Sequence, residues 1–367
     1  MGEIQQFEEA HIPEAAALEL KMFHRRRGPA GPALEAYFAE MFFRNPWRDC
    51  GLPSFVYLHR GRVVGFLGVV PRPMEFNGRK ILVGVASQLM ADSEAYRGFA
   101  GFALMKRFLE GPQELSLTDG GTEAACTIWT ASGAKVARLY SLEWLRVLRP
   151  ARYLQGRLGQ HPKAALRAMA YGMFPGCWLA DAALSKLPVR TLSPPVTELR
   201  GAPAGAEELL RCVQEIGWRD ALKPSYESAS FQWLLGEAAG ARNRGALRTV
   251  VVREPSGTPA GWYVYYAKPG GVFTVLQIGA AARRMDKVLL ALWRDAWEQG
   301  AAAVRGQVMP RHLLDFHLRD CSFDYVGNGV LAHSRDPQLM ACVLQGEAAL
   351  TRLDGEWWMR FADTNWR

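Results

Sequence analysis

The residues best placed to do chemistry lie in one short stretch, AYRGFAGFALMKRFLEG at 95–111. Tyr96, Arg97, Gly98, Phe99, Ala100 and Gly101 make a turn of mostly small residues, and Phe102, Leu104, Met105, Phe108 and Leu109 recur behind it at helical spacing. The first amides of such a helix lack intrahelical partners and point outward, with the positive end of the macrodipole behind them. Small side chains let a phosphate approach these amides, and Arg97 adds a fixed charge with a forked donor. Anion binding is the chemistry on offer, although glycines also open helices that bind nothing.

A strand must deliver the chain to this turn. Residues 81–91 are apolar and partly β-branched, without helical spacing, and read as a mostly buried strand. Before it come a short strand at 2–8, a helix from about Pro13, and a second helix with Leu34, Tyr37, Phe38, Met41 and Phe42 on one face. SFVYLHR and VVGFLGVVPRPMEF flank a turn at Gly61-Arg62, and Asn77-Gly78 marks the next hairpin. After the candidate helix at 99–110, a strand at 115–119, a helix at 122–132 and one or two strands ending at Pro150 follow. Ser87 and Gln88 stand in the strand before the loop, where alternation turns one of them to a cleft.

With this element order, the first 150 residues resemble a GCN5-related acyltransferase domain, whose loop after the fourth strand follows an Arg/Gln-x-x-Gly-x-Gly/Ala pattern. Arg97 matches the opening residue, Ala100 stands for the first glycine and Phe102 for the second small residue. The resemblance implies that Arg97, Gly98, Phe99, Ala100, Gly101 and Phe102 hold a coenzyme A pyrophosphate, and that backbone at Leu89, Met90 and Ala91 holds the thioester. It also implies a tyrosine acid in the helix after the fifth strand, but WTASG places Trp129 there, and an indole N–H does not ionise in the useful range. Asp119, Glu123 and Tyr140 are the candidate catalytic substitutes. Asp119, in a Thr-Asp-Gly-Gly turn, also suits an Asx turn or cap, and Glu123 suits a first helical turn. LTDGGTEAACTIWTASGAKVARLYSLEWLRVLRPARY resembles tandem acyltransferase-like bacterial proteins of similar length, often linked with cell-envelope or exopolysaccharide functions.

Residues 151–195 are basic, partly helical and then proline-containing, as in a linker. From 196 to 367 the order of helices and strands repeats that of residues 1–150, which implies a second copy of the fold. There AAARR replaces the glycine-containing loop, so the second copy is expected to be degenerate, although Arg283 and Arg284 could meet an anion. The expected architecture is α/β (α+β): two tandem domains, each a mixed, mainly antiparallel sheet flanked by helices. The closing motif TRLDGEWWMRF carries Arg352, Asp354, Glu356, Trp357 and Trp358, which either stack and hydrogen-bond a ligand or form the two faces of a strand.

The 367 residues, 49% hydrophobic and 22% charged, describe a chain able to build sizeable cores rather than a disordered one. Forty-four Lys and Arg against 36 Asp and Glu give +8, which favours an anionic partner without naming it. Six scattered cysteines and seven histidines show no metal spacing, His312 and His317 being five apart, so no metal is expected. The acidic, polar N-terminus is unlike a signal peptide, and no apolar run reaches the roughly 20 residues that span a bilayer. Residues 164–187 come nearest and read as a buried or interfacial helical connector, with membrane contact as the lesser alternative. The expectation is a cytoplasmic N-acyltransferase using acetyl-coenzyme A or another acyl-coenzyme A. Its acceptor would be a small amine, such as an amino sugar or amino-acid derivative, in a cleft between the domains, and no nucleic acid is expected as partner. The alternatives are a Fem-type aminoacyl or peptidyl transferase and a non-catalytic ligand-binding or scaffold protein of the same fold.

Overall fold

The computed structural model describes residues 2–48, 51–94, 99–187, 193–325 and 329–359. The chain begins with β1 (Gly2–Gln6), then α1 (Ile12–His24) and α2 (Pro32–Phe43), each opened by a proline whose fixed φ suits a first turn. β2 (Phe55–His59), β3 (Arg62–Phe76) and β4 (Arg79–Ala91) are joined by two-residue turns. Arg60, Gly61, Asn77 and Gly78 all have positive φ, as required by turns whose twist matches that of the strands. The first turn therefore falls on Arg60-Gly61, one residue before the expected position. α3 (Ala100–Leu109), β5 (Leu115–Thr118), α4 (Glu123–Ala131), the short β6 (Lys135–Val136) and β7 (Leu142–Val147) complete this stretch.

The basic segment folds as α5 (Pro150–Gly159), α6 (Ala164–Gly172) and α7 (Phe174–Leu184). Next come β8 (Arg200–Pro203), α8 (Ala206–Ile216), β9 (Leu222–Pro224), α9 (Ser228–Gly240), β10 (Ala246–Arg253), β11 (Pro259–Ala267) and β12 (Val272–Ala280). The described chain closes with α10 (Met285–Glu298), β13 (Ala303–Gln307), α11 (Leu313–Leu318), β14 (Ser322–Tyr325), β15 (Leu331–His333) and α12 (Pro337–Gln345). β9 and α12 add to the order read from the sequence.

These elements form two compact units, each discontinuous in sequence. The first takes the chain before Leu142, Arg219–Ala241 and the chain after Tyr325, and the second takes Leu142–Trp218 and Arg242–Tyr325. The units thus depart from the expected boundaries at 150 and 196, because strand pairing, not chain order, decides membership. The first sheet runs β1-β2-β3-β4-β5-β15-β6, with β9 also paired to β3, and the second runs β14-β7-β13-β12-β11-β10-β8. In each sheet one pair is parallel, β4 with β5 and β12 with β13, and the rest are antiparallel. Each sheet also takes a strand from the other half of the sequence: β15 lies between β5 and β6, and β7 between β13 and β14.

In the first unit the buried face of α3, with Leu104, Met105 and Phe108, packs into one cluster with Trp129. The Trp129 ring meets Phe108 edge-on at 5.9 Å and is 2% exposed. In the second unit Trp144 of β7 stacks on Phe316 at 5.0 Å and meets Trp293 edge-on at 5.3 Å. A Cβ on Gly306 would lie 2.7 Å from the Trp144 ring, so only glycine lets β13 pass beneath the indole.

Trp129 is thus a core residue, and Trp129→Ala should lower the unfolding free energy by about 3–5 kcal/mol in urea denaturation. Unchanged stability would contradict this packing.

Candidate functional site

The first unit is interrupted where β4 passes the end of its parallel neighbour. Pairing between the two strands covers Val83 with Leu115, Gly84 with Ser116 and Val85 with Leu117, and goes no further, although β4 continues to Ala91. On its other side β4 bulges. Phe66 faces Met90 and Gly68 faces Ser87, so Gln88 and Leu89 together stand opposite Leu67. Gln88 has φ 54, a left-handed conformation costly for a residue with a Cβ. The strand therefore carries backbone strain beside the point where the β4–β5 pairing ends.

Buried polar side chains lie along the same sheet, from Gln88 in the bulge to Arg72 opposite Val83. The Gln88 Nε2 donates to the Tyr37 hydroxyl at 3.0 Å, and that hydroxyl donates to the Met359 carbonyl. Arg72, 3% exposed within the otherwise apolar residues 63–74 of β3, donates from Nε to the Asp354 carbonyl at 3.3 Å and lies 4.4 Å from the Trp47 ring. Asp354 accepts from the hydroxyls of Tyr226 at 2.7 Å and Thr351 at 2.6 Å. At the exit of β5, Asp119 Oδ1 accepts from the amides of Glu356 at 2.6 Å and Trp357 at 2.9 Å, and the Thr118 hydroxyl donates to the Glu356 carboxylate. A Cβ on Gly355 would lie 2.1 Å from the Asp119 carboxylate, so the close approach of this segment requires glycine.

Four buried polar atoms here, Ser87 Oγ, Gln88 Oε1, Arg72 Nη2 and Asp119 Oδ2, have no hydrogen-bond partner among the described residues. Buried polar groups are normally satisfied, so each of these atoms calls for an explanation, and two of them belong to charged groups, Arg72 and Asp119, that feel one another's charge. Burial pushes the Asp119 carboxyl up to about 7, with the Glu356 charge adding and Arg352 and the two amide bonds opposing. Burial lowers the Arg72 guanidinium to about 10 against the charge of Asp354, and burial with nearby Glu19, Glu237 and Glu356 holds the Tyr37 phenol well above its ordinary value. At neutral pH Asp119 can therefore both take and give a proton, whereas Tyr37 stays protonated.

The sequence-derived candidates separate. Asp119 is among these buried groups. Tyr140 is not available: its hydroxyl donates to the Ala348 carbonyl at 2.7 Å and accepts from the Ala348 amide at 2.8 Å inside the core, so it pins the chain after α12. Glu123 is exposed in the first turn of α4, where a carboxylate favours the helix dipole, and no contact brings it to Asp119. Leu89 belongs to the bulge, whereas Met90 and Ala91 return to pairing with Phe66 and Gly65. Arg97 and Gly98 lie outside the described residues. Phe99 is the exposed cap of α3 and Phe102 stands outward on its first turn. Ala100 is buried in the core, and a Cβ on Gly101 would meet Ile128 at 3.2 Å, so both small residues serve helix packing as well as the loop. The α3 N-terminus has no side-chain cap, and among the described residues its first internal bond is from the Ala103 amide to the Phe99 carbonyl. Just beyond the end of β4, a cleft of about 720 Å³ is lined by Lys21, Arg27, Arg60 and Arg62 together with the acids Glu14 and Asp92. Lys21 is held there by Asp92 at 2.7 Å and Glu94 at 2.9 Å.

Sequence reading missed Tyr37 and Arg72. Tyr37 had been counted on an apolar helical face, while a lone arginine within the apolar run of β3 was the legible signal for a buried charge. Among the described residues no group of three or more His, Cys, Asp or Glu could hold a metal ion.

The second unit has the same parallel pair, ending at Val275 with Gly306, and its own bulge opposite Val264 and Tyr265. Here Trp262 Nε1 donates to Gln277 Oε1 at 3.0 Å, Trp218 meets Trp262 edge-on at 5.1 Å with its own Nε1 buried and without a partner among the described residues, and the Trp262 ring covers Gly279. Arg284 is engaged by Glu254 at 2.7 Å.

No family profile and no curated protein matches the sequence. The fold does have solved neighbours. A conserved protein of unknown function from Enterococcus faecalis is similar at TM-score 0.58 and 11% identity, over 91% of this chain and 73% of that one. A GCN5-related N-acetyltransferase from Anabaena variabilis is similar at TM-score 0.56 and 11% identity, over 92% and 73%. An N-myristoyltransferase from Saccharomyces cerevisiae, with bound myristoyl-coenzyme A, is similar at TM-score 0.50 and 11% identity, over 90% and 77%. The structural neighbours are GCN5-related N-acetyltransferase folds, and at this identity the likeness is one of fold.

The raised Asp119 carboxyl fixes the sign of a pH effect. An acid whose folded pKa lies above its unfolded value of about 3.9 gives stability that is present at low pH and lost as pH rises toward 7. Asp119→Asn keeps an acceptor for the two amides but cannot ionise. Its stability relative to wild type should therefore rise between pH 4 and pH 8 in thermal melts, and a pH-independent difference would contradict the buried-acid assignment.

Proposed function

We propose that the first unit is an acyl-coenzyme A-dependent N-acyltransferase, acting on a small amine such as an amino sugar or amino-acid derivative. One observation carries the reading: β4 leaves β5 at Val85, bulges at Gln88 and leads toward the N-terminus of α3, which has no side-chain cap. Such an opening gives an extended thioester backbone to lie along, with an anion site at its outer end. The fold likeness to N-acetyltransferases supports the reading, as do Arg60 and Arg62 at the cleft beyond β4. In the second unit the corresponding positions are filled by Trp262 and Gln277, which supports a degenerate, non-binding role there.

In this reading the amine nitrogen attacks the thioester carbon, the C–N bond forms as the C–S bond breaks, and the amine proton passes to Asp119 Oδ2. A carboxyl near 7 suits that transfer at neutral pH, and the leaving thiolate, of pKa about 8.5, needs little help. Arg72 Nη2 is a further donor in this sheet without a partner among the described residues, whereas the Tyr37 proton is held by the Met359 carbonyl. Acetyl-coenzyme A is the simplest donor, with longer acyl chains tested beside it.

Calorimetric titration with acetyl-coenzyme A and a longer acyl-coenzyme A should give binding by the wild type and at least about tenfold weaker binding by Arg97→Glu. Asp119→Asn should bind but release thiol roughly 10²–10⁴-fold more slowly with an accepted amine. No heat with either ligand would remove the reading. Binding without thiol release across an amine panel would favour a non-catalytic ligand-binding protein.

A further inference from the structure

We infer that α6 and α7 of the second unit form a surface that docks on an anionic lipid bilayer. α5 is anchored at its start, where Arg149 donates to the Ala301 carbonyl at 2.5 Å and the Trp297 carbonyl at 2.8 Å and covers the Trp297 ring at 4.2 Å. α7 is then fixed on α5 by one buried acid. Asp181, 4% exposed, accepts from the amides of Ala151 at 2.9 Å and Arg152 at 3.1 Å and pairs with the Arg152 guanidinium, so it caps the α5 N-terminus. Gln155 ties α5 to α6 through the Ala170 carbonyl at 2.9 Å.

These anchors decide which side of each helix faces outward. On α7 Cys177 and Asp181, four apart, are buried, and Pro175, Gly176, Trp178, Leu179, Ala180, Ala182 and Ala183 are exposed. The exposed side therefore has no charge and no hydrogen-bonding side chain apart from the indole. Trp178 is 59% exposed, Leu179 67% and, on the neighbouring α6, Tyr171 80%. A helix this apolar on its outer side is normally covered.

Charge identifies what covers it. Between Pro150 and Leu187 the basic residues are Arg152, Arg157, Lys163, Arg167 and Lys186, and the one acid is the buried Asp181. Arg157, Lys163, Arg167 and Lys186 are exposed, so the solvent-facing charge of this segment is entirely positive. Protein interfaces need about one hydrogen bond per 100–200 Å², and the α7 face has almost none to give. An anionic bilayer needs none: its headgroups take the lysines and arginines, its acyl boundary takes Leu179, and indole and phenol rings sit at the junction. At 11 residues α7 is too short to cross a bilayer, and no helix among the described residues is long and apolar enough to do so. The surface lies on the membrane.

Flotation of the full chain with phosphatidylcholine vesicles, with and without phosphatidylglycerol, tests this. The wild type should float with the anionic vesicles and be released by high salt. Trp178→Glu with Leu179→Glu, and separately Arg157→Gln with Lys163→Gln and Arg167→Gln, should each weaken binding at least about tenfold while near-ultraviolet circular dichroism stays that of the wild type. A wild type that stays with the unbound protein would overturn the inference, as would variants that float equally well. Vesicle-free dimers that Trp178→Glu with Leu179→Glu dissociates would also overturn it, since the face would then belong to a protein contact.

Discussion

The first unit depends on one carboxylate. Asp119 stands at the end of β5 and accepts from two amides more than two hundred residues further along the chain, at Glu356 and Trp357. Its burial is costly unless those amides arrive, and they arrive only because Gly355 lets the segment come within contact of the carboxylate. β15 performs the same joining in the sheet, and Tyr140 performs it in the core through Ala348. An acid held this way is rigid, poorly solvated and near neutrality in pKa, three properties that an ordinary surface carboxylate lacks.

A second constraint works with the first. β4 is shared between an antiparallel neighbour and a parallel one, and its bulge at Gln88 lies just past the last parallel pair. Strain there is held by the Gln88–Tyr37 hydrogen bond and by packing from both sides. The contrast with β12 is chemical rather than topological. Both sheets have a parallel pair that stops early and a bulge, but at β12 an indole fills the space and its N–H satisfies the neighbouring amide. The two sheets thus differ in what stands beside the bulge, a strained Gln88 bonded to Tyr37 in one and an indole bonded to Gln277 in the other.

Much of this was legible in the residues. Hydrophobic periodicity and glycine turns located the helices and hairpins of each half, because local propensity and burial agree there. Repetition of the element order pointed to two sheets of similar layout, and two mixed sheets are present. The unit boundaries were not legible, since β7 reads as the end of the first copy and only pairing shows that it completes the second sheet. The candidate site was half readable. Asp119 stood out by its turn, and the TRLDGEWWMRF motif by its mixture of acids and indoles, but nothing local says that the two meet. Tyr140 misled because a phenol in sequence has the same promise whether or not a distant backbone group occupies it. Arg72 and Tyr37 were hidden within apolar patterns that are correct as patterns.

The central claim is that an acyl-coenzyme A occupies the opening between β4 and β5 of the first unit. Hydrogen–deuterium exchange of the full chain with and without acetyl-coenzyme A addresses it at the level of individual segments. The account predicts slowed exchange confined to peptides covering residues 86–91 and the first turn of α3, with 276–287 unchanged. Protection at 276–287 instead, or none at 86–91 under saturating ligand, would contradict it.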